Sequence, residues 1–346
     1  MSLIKYIVRR LLLTIPIMFG VLTLTFALTR FMPGNPFLYF MSDRATPTTI
    51  ALFERLTERY GLNDPWYVQF GLYLGQLFSG DWGESLTIAR GENVWELIWA
   101  KFPRTVELTF LSLIPAAIIG VKAGVISANK RNKWQDTLIR GNSLVGVAIP
   151  VFFLGIILIY IFAIQLDWLP ASGYKVQSYT ASQVADPPLI TGFRLLDSAL
   201  TGHWNLFWDT IPYYILPVFS LTFISVAGIS RQSRSSMLEV LELDYIRTAR
   251  AKGCKEKTVI NHHALRNSLI PVVTVIGMDF GFLLGGAVLT ETTFNFRGMG
   301  MLLMKAISGV DYSVIIACVF IISLLFILVN LVTDVLYGIL DPRIRF

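Results

Sequence analysis

The chain has 346 residues, of which 54% are hydrophobic and only 15% are charged, and its net charge is +6. A soluble domain has roughly 25% charged residues, so this composition excludes an ordinary globular protein. The positive charge does not indicate nucleic-acid binding, because the lysines and arginines lie in short segments between apolar runs and no base-stacking motif accompanies them. Membrane proteins with basic cytoplasmic loops have the same charge balance.

Six apolar segments are long enough to cross a bilayer as helices, which takes about 20 residues because lipid offers the backbone no other hydrogen-bond partner. In chain order these predicted spans cover residues 11–28, 105–128, 144–166, 211–230, 270–290 and 313–337. The first follows three basic residues but lacks a small-residue cleavage site, so we interpret it as a retained helix rather than a signal peptide. The predicted fold class is an all-α integral membrane protein with about six transmembrane helices.

Basic residues are concentrated in four of the segments that join or flank these spans. The four are the N-terminal tail, the segment after the second span, the loop between the fourth and fifth spans, and the C-terminal tail. Together they hold 17 of the chain's 29 lysines and arginines, and in a six-span protein all four lie on one side. Short loops rich in Lys and Arg remain in the cytoplasm. We therefore predict a multi-pass protein of the cell membrane with both termini in the cytoplasm.

The other segments are predicted to face outward, and the first of them is long. Within it, residues 48–60 have helical spacing. Residues 66–78 and 94–102 carry aromatic side chains typical of membrane interfaces. Residues 167–210 are predicted to be rich in loops. The predicted units are the tail with the first span (1–30), the extracytoplasmic segment (31–104), a five-helix core (105–337) that includes the cytoplasmic loop 231–270, and the C-terminal tail (338–346).

The cytoplasmic loop 231–270 is longer than a bare connection between two spans needs. It is helix-prone up to Lys252 and again from Lys255 to about Leu265, and Gly253 between them can take the left-handed conformation that ends a helix. The second part is amphipathic. A helix held across the cytoplasmic face can transmit force from a soluble partner to two spans, whereas a solvated loop would only be attracted to anionic lipid. These residues alone do not decide between the two interpretations.

Two motifs in this loop resemble a known docking element. Residues 245–253 read Y-I-R-T-A-R-A-K-G and residues 263–271 read H-A-L-R-N-S-L-I-P. Almost letter for letter, they are similar to the ATPase-docking motif of ABC importer permeases in the binding-protein-dependent dipeptide and oligopeptide branch. The resemblance extends along the whole chain, through the motifs at 33–36, 80–85, 168–173, 231–241, 284–287 and 341–343.

The sequence departs from the family pattern at several positions. Arg247 and Thr248 stand at the first two positions of the general E-A-A motif, and Arg266 stands where many permeases have proline; both are usual in this branch. Arg297 replaces the proline that usually precedes the Gly-x-Gly at 298–300. We therefore expect the outside turn at that point to differ from the family's.

The resemblance implies a type I-like importer permease that moves di- or oligopeptides by alternating access. Its loop helix would dock on one of two cytoplasmic ATPases, which would rock this chain and a second, homologous permease subunit between inward-open and outward-open states. An extracytoplasmic solute-binding protein would deliver the substrate, and membrane lipid would surround the complex. The docking residues carried over are Arg247, Thr248, Ala249, Arg250, Ala251, Lys252, Gly253, His263, Ala264, Leu265 and Arg266.

Other functions remain as alternatives. The same architecture could import oligosaccharides or nickel chelates. A secondary transporter would show inverted repeats and more buried ionisable residues, and an intramembrane hydrolase would need a motif such as H-E-x-x-H or G-x-S-x-G, which the sequence lacks. G-x-x-x-x-G-K-[ST] is also missing from the sequence. We therefore expect ATP and Mg²⁺ on partner ATPase subunits, and no catalytic residue, cofactor or metal on this chain.

Several residues invite a sharper interpretation. Glu107, Lys122 and Asp279 lie within or near predicted spans, where charge is costly and often functional. Each could line a translocation path, pair inside the bundle or, as suits Glu107, snorkel from a helix end. Asp279, near the middle of the fifth span, is the candidate for the path.

The adjacent His262 and His263 would point about 100° apart on a helix, which suits a docking or structural role better than a metal site. The glycines at 281, 285 and 286 are predicted to allow close helix packing.

Overall fold

The structure, a computed structural model, describes residues 3–31, 47–61, 63–174 and 189–340. Helices make up most of these residues, in the order α1 Leu3–Phe31, α2 Pro47–Tyr60, α3 Trp66–Ser79, α4 Val94–Trp99, α5 Phe102–Asn129, α6 Trp134–Ala148, α7 Val151–Leu158, α8 Arg194–Leu200, α9 Trp204–Leu241, α10 Asp244–Ala251, α11 Glu256–Thr258, α12 Leu265–Thr293, α13 Met299–Ser308 and α14 Tyr312–Leu340. Short π-helical turns, Ile159–Gln165 and Val259–Ala264, extend α7 and α11. The all-α prediction is confirmed. The motifs predicted at 33–36 and 341–343 lie outside the described residues, as does the part of the predicted loop from 175 to 188.

Among the residues that the structure describes, five helical segments are long and apolar enough to cross a membrane, and they match five of the six predicted spans. They are Val8–Thr29, Val94–Asn129, Trp204–Leu241, Glu256–Gly285 and Tyr312–Leu336. The first four are longer than their predicted spans, and the fifth, Tyr312–Leu336, has the same length as the predicted 313–337. The 38 residues of α9 extend over about 57 Å at 1.5 Å per residue, well beyond the roughly 30 Å of a bilayer's hydrocarbon core. Residues 231–241, predicted as the start of the cytoplasmic loop, are therefore a continuation of α9.

The predicted third span is wrong in shape. Instead of one helix over 144–166, α6 meets α7 and its π-helical extension at an angle of 102°. The break falls at Ile149, which is extended, with φ −86° and ψ 124°. The following residue, Pro150, disfavours helical backbone at the position before it and offers no N–H of its own. Residues 134–165 therefore form a bent pair of short helices, which adds a sixth span only if the pair crosses the membrane as one unit.

Small residues set the contacts between the long helices. On α5, a Cβ at Gly120 would lie 2.7 Å from Ile229 of α9, and one at Gly124 would collide with Ser233. Missing side chains let helix backbones approach closely in membranes, so α5 and α9 come close together at these two turns. Gly281 of α12 packs against the Phe326 ring of α14, which confirms close packing at that predicted position.

Two other predicted features have mixed outcomes. At Gly285, nothing lies within 4 Å of an added Cβ, so close packing is not confirmed there. The helix predicted over 48–60 is confirmed, since these residues lie in α2, and the aromatic stretches 66–78 and 94–102 form α3 and α4 with the start of α5.

Candidate functional site

The candidate site is the docking segment, residues 242–264, in which α10 and α11 with its π-helical turn cross the ends of α5 and α9. One face of the segment is buried against these two helices. Its buried residues are Ile246, Ala249, Val259, Ile260 and Ala264, which cluster with Ala128 of α5 and Met237 of α9. The predicted amphipathic helix is confirmed. Because its apolar face contacts two spans, the segment is anchored to both.

The break between the two helices of the segment is a Schellman motif. Gly253 has φ +77°, the left-handed conformation predicted for it. Its N–H donates to the carbonyl of Arg250 at 2.9 Å, and the N–H of Cys254 donates to the carbonyl of Ala249 at 3.2 Å. These two bonds satisfy carbonyls that the end of a helix otherwise leaves unpaired. The turn therefore fixes the angle between α10 and α11.

We expect Gly253→Ala to destabilise this turn by about 1 kcal/mol, because a Cβ at positive φ strains the backbone. Space is not the cause, since nothing lies within 4 Å of an added Cβ. Thermal unfolding of the purified chain measures the effect. Gly228→Ala in the interior of α9, where nothing lies within 4 Å either, is the matched control and should be neutral or slightly stabilising. Equal destabilisation by both variants would contradict the expectation.

The structure separates the predicted docking residues into an exposed and a buried group. Ala249 and Ala264 are buried, and His263 and Leu265 are half-buried, so these four contribute packing more than contact surface. The exposed residues are Arg247, Thr248, Arg250, Ala251, Lys252, Gly253 and Arg266. A soluble partner would therefore meet a mostly basic face.

Sequence reasoning missed two exposed apolar residues on this face, Leu243 and Tyr245. Tyr245 also ties the segment together, because its hydroxyl donates to the carbonyl of His263 at 3.4 Å and accepts from the side-chain amide of Asn267 at 2.7 Å. The signal was available, since Tyr245 opens the motif recognised in the sequence. Its bond to Asn267 links α10 directly to α12.

Ion pairs shape the charge of the exposed face. The guanidinium of Arg250 donates to both carboxylate oxygens of Glu256, at 2.8 and 3.2 Å, across the turn at Gly253. Hydrogen bonding to this carboxylate raises the pKa of Arg250 above its ordinary value. Arg247 pairs more loosely with Asp244 at 3.3 Å. Asp244 and Glu256 are thus engaged by arginines of the segment itself, and Lys252 and Arg266 add positive charge to the face.

A buried charge cluster lies behind the docking segment. The carboxylate of Asp136, whose side chain is 1% exposed, accepts from Nε and Nη2 of Arg234 at 2.8 and 3.0 Å. It also accepts from the Ser127 hydroxyl at 2.5 Å and from the backbone N–H of Asn132 at 3.0 Å. These four bonds join α5, the turn after it, α6 and α9. Sequence reasoning did not find the cluster, because each residue taken singly resembles an ordinary loop charge.

The ionisable residues in the spans have different surroundings. The carboxylate of Glu107 is buried and accepts from the backbone N–H groups of Arg194 and Leu195, at 3.0 and 2.8 Å, and from the Tyr214 hydroxyl at 2.7 Å. It therefore pairs inside the bundle, and the snorkelling interpretation is wrong. Lys122 is exposed. In Asp279, Oδ2 is buried and has no hydrogen-bond partner in the described part of the chain.

Two buried carboxylates at the opposite end of the bundle were also missed. Asp311 is fully buried, and its Oδ2 accepts from the Ser85 hydroxyl at 2.6 Å and from the backbone N–H groups of Leu86 and Thr87, both at 2.9 Å. Glu291 accepts from the Thr105 hydroxyl at 2.5 Å and from the N–H of Met301 at 3.0 Å. Both carboxylates fix loops to the ends of helices.

Arg297, at the position where the resemblance led us to expect proline, lies in the turn before α13. Arg297 has φ +58°, a conformation that proline cannot adopt because its ring holds φ near −65°. The next residue must be small, because a Cβ at Gly298 would collide with the carboxylate of Glu291. Arg297 also exposes its carbonyl to the Arg104 guanidinium, which donates to it at 3.2 Å.

The two histidines of the segment contact each other with ring centroids 5.3 Å apart. Within the described ranges, no group of three or more His, Cys, Asp or Glu residues is arranged to hold a metal ion.

Comparison with known families identifies the chain. Residues 120–346 match the model of the binding-protein-dependent transport system inner membrane component, and residues 3–109 match the N-terminal model of the same kind of membrane component. The chain belongs to this permease family. The permease is therefore a multi-pass protein of the inner membrane and a component of a transport system.

Curated relatives cover the permease almost completely. It is 44% identical over 344 residues to the dipeptide transport system permease protein DppB of Alkalihalophilus pseudofirmus, which covers 99% of this chain and 100% of that one. It is 44% identical over 342 residues to the di/tripeptide transport system permease protein DppB of Pseudomonas aeruginosa, with 99% of each chain covered. The oligopeptide transport system permease protein AppB of Bacillus subtilis is 39% identical over 341 residues, again with 99% of each chain covered. The resemblance to the dipeptide and oligopeptide branch is confirmed.

A solved structure supports the fold. The permease is similar to a chain of the MetNI methionine ABC transporter in an inward-facing conformation, with a TM-score of 0.55 and 15% identity, over 72% of this chain and 99% of that chain. At this identity the likeness shows the fold alone. The predicted ABC importer permease fold is confirmed.

Proposed function

We propose that the permease imports di- or oligopeptides across the cell membrane as one of two homologous membrane subunits of an ABC importer. In this proposal an extracytoplasmic solute-binding protein delivers the peptide, and two separate ATPase subunits bind ATP with Mg²⁺ and supply the energy. Peptides are favoured over oligosaccharides or nickel chelates because the relatives described above, 39–44% identical over nearly the whole chain, are named as dipeptide, di/tripeptide and oligopeptide permeases.

The observation that carries the proposal is the docking segment. Its apolar face is held by α5 and α9, Tyr245 bonds to α12 through Asn267, and its outer face is exposed and basic. A partner that pushes on this face moves three spans together. Such a partner would carry an acidic groove, since complementary charge guides and orients docking. ATP binding and hydrolysis would shift the equilibrium between two membrane states that differ in these contacts.

Orientation in the membrane follows from where the basic residues gather. Arg131, in the turn after α5, pairs with Glu242 at the docking segment at 3.6 Å, so these two basic regions lie at the same end of the bundle. Arg10 of α1 pairs with Asp334 near the end of α14 at 2.9 Å, which brings both terminal helices to a common end. The positive-inside rule places basic ends in the cytoplasm. We infer that both termini and the docking segment are cytoplasmic.

Asp279 is the residue we assign to the translocation path. Its Oδ2 is buried without a hydrogen-bond partner among the described residues, while its neighbours Met278 and Phe282 on the same helix are 57% and 60% exposed. An unpaired carboxylate within a span is costly and is usually retained for function. Its position beside the exposed strip of α12 suits a group that meets cargo as the two subunits rock.

The test is a charge reversal on the docking face of the full-length chain. We expect Lys252→Glu combined with Arg266→Glu to reduce the ATPase subunits that co-purify in mild detergent by at least about tenfold, because like charges facing each other at an interface cost several kcal/mol. ATP hydrolysis and uptake of a labelled dipeptide into proteoliposomes should fall with them.

Arg140→Glu is the matched control. Arg140 is an exposed basic residue of α6 outside the docking segment, so reversing its charge should leave co-purification unchanged. A chain that purifies without ATPase subunits and still moves solute in vesicles would overturn the proposal in favour of a secondary transporter. Uptake of oligosaccharide or nickel chelate in place of dipeptide would contradict the proposed peptide cargo but would agree with the proposed importer function.

A further inference from the structure

Four basic residues gather around the start of α5. Lys101 directly precedes this helix and Arg104 lies in its first turn, while Arg297 comes from the turn before α13 and Lys305 from α13 itself. The positive charges of Arg104, Arg297 and Lys305 all lie close enough to repel the ammonium group of Lys101. We call these four residues the α5 basic cluster.

The charge of the α5 basic cluster is not balanced by an ion pair. None of the ion pairs among the described residues includes a member of the cluster. Glu92 attracts Lys101 without pairing with it, and the buried Glu291 attracts Arg104 but already accepts hydrogen bonds from a hydroxyl and a backbone N–H. Lys101 and Arg104 are half-buried, and like charges held close together out of water are unfavourable. An anion from outside the chain would relieve this repulsion.

The Arg104 side chain is fixed in position by two contacts. Its guanidinium carbon lies 4.1 Å from the centre of the Tyr174 ring, an attractive contact between a cation and an aromatic face. Its Nη1 donates to the carbonyl of Arg297 at 3.2 Å, which uses one of the five N–H donors of a guanidinium. The planar fork of donors matches the two oxygens of a carboxylate. Arg104 is therefore preorganised to bind one.

The backbone at Arg297 is strained, and this strain shapes the cluster. Its φ of +58° is unfavourable for a residue that has a Cβ, and such conformations occur preferentially where a ligand binds. Here the conformation directs the Arg297 carbonyl to Arg104 and leaves the Arg297 side chain exposed beside the other three cations. The strained turn therefore both orients Arg104 and adds a charge to the cluster.

The α5 basic cluster lies at the opposite end of the bundle from the docking segment. The 28 residues of α5 extend over about 42 Å at 1.5 Å per residue, which is more than the thickness of a bilayer's hydrocarbon core. Ala128, near the other end of α5, packs against the docking segment. Because the proposed function places that segment in the cytoplasm, the cluster faces the side of the membrane from which cargo enters.

We propose that the α5 basic cluster binds the C-terminal carboxylate of the peptide cargo. This inference rests on the proposed peptide import and names the group of the cargo that the permease recognises. Every free di- or oligopeptide carries this carboxylate whatever its side chains, so such a site accepts many sequences. An acidic side chain of the solute-binding protein carries the same group. The half-buried fork of Arg104 favours the small ligand, which can approach it closely.

The experiment measures peptide binding to the full-length chain in nanodiscs by saturation-transfer NMR. The probes are alanyl-alanine and alanyl-alaninamide, in which an amide replaces the carboxylate. We expect wild type to bind alanyl-alanine about tenfold more tightly than the amide, since hydrogen bonds to a charged group are the stronger ones. Arg104→Gln should weaken the binding of alanyl-alanine by a similar factor and remove the preference.

Two further variants complete the design. Lys305→Gln removes a charge of the cluster at an exposed position, where folding is not at risk, and should weaken the binding of alanyl-alanine about two- to threefold. Arg55→Gln in α2 removes an exposed charge outside the cluster and is the matched control, which should bind like wild type.

The proposal is overturned if wild type binds both probes equally or binds neither. It is also overturned if the cluster variants keep their affinity for alanyl-alanine and lose only affinity for the solute-binding protein, because the cluster would then be a docking surface. The NMR measurement needs neither ATPase nor binding protein. Dipeptide uptake without a preference for the carboxylate would therefore reject this inference alone and leave the import function standing.

Discussion

Replacing Asp136 by alanine is expected to lower the free energy of unfolding by about 3–5 kcal/mol, because removing one partner of a buried ion pair leaves the other charge uncompensated. Arg234 keeps only 21% of its side chain exposed, so water replaces the lost carboxylate poorly. The Ser127 hydroxyl and the Asn132 N–H lose their acceptor as well. The measurement is thermal unfolding of the full-length chain in mild detergent.

A second variant separates charge from shape. Asp136→Leu combined with Arg234→Met removes both charges and keeps apolar volume, and should recover part of the loss, since a buried pair replaced by apolar residues is often nearly neutral. If the double variant is as unstable as Asp136→Ala, the unpaired arginine is not the cause. Recovered stability without recovered ATPase coupling would instead assign the pair a positioning role behind the docking segment.

Asp311→Asn is the second substitution with a large expected effect, a loss of about 2–4 kcal/mol. Asparagine keeps the shape of the side chain but removes the charge that strengthens the hydrogen bonds from Ser85, Leu86 and Thr87. Its amide would also bring a donor towards the N–H of Val314, which now donates to Asp311 at 3.4 Å. The loop that carries Ser85 should therefore loosen.

Thermal unfolding and amide hydrogen exchange across residues 84–93 measure this loss. Asp167→Asn is the control, because Asp167 is exposed and has φ +50°, a conformation that asparagine tolerates. Unchanged exchange in the loop of the Asp311 variant would show that the hydrogen bonds do not hold it. The same loss of stability in the Asp167 variant would point to a general effect of lost charge.

The sequence was most informative where a local signal decides the structure. Apolar length alone located five spans, because a lipid-facing backbone must be helical. Gly253 predicted the turn in the docking segment for an equally local reason, since glycine readily adopts positive φ. The prediction of the third span was wrong because it gave too little weight to one residue. Pro150 stands within a continuous apolar run, so hydropathy predicted one helix where the proline imposes a break.

The buried charges could not be predicted in the same way. Asp136 and Arg234 are 98 residues apart in the chain, and Asp311 and Ser85 are 226 apart. Each pair exists only because the helices between them pack in one arrangement. Glu107 shows the same limit, since its place near the start of a span suggested contact with water. The loop before α8 covers it and donates two backbone hydrogen bonds to its carboxylate.

The close contact between α5 and α9 sets how a movement of the docking segment can travel into the bundle. Gly120 meets Ile229 and Gly124 meets Ser233, so α9 lies against α5 at two successive turns before it ends at Leu241. At 1.5 Å per residue, Ser233 lies about 12 Å from that end. A force on the docking segment would therefore shift α5 and α9 together as one unit rather than slide one helix along the other.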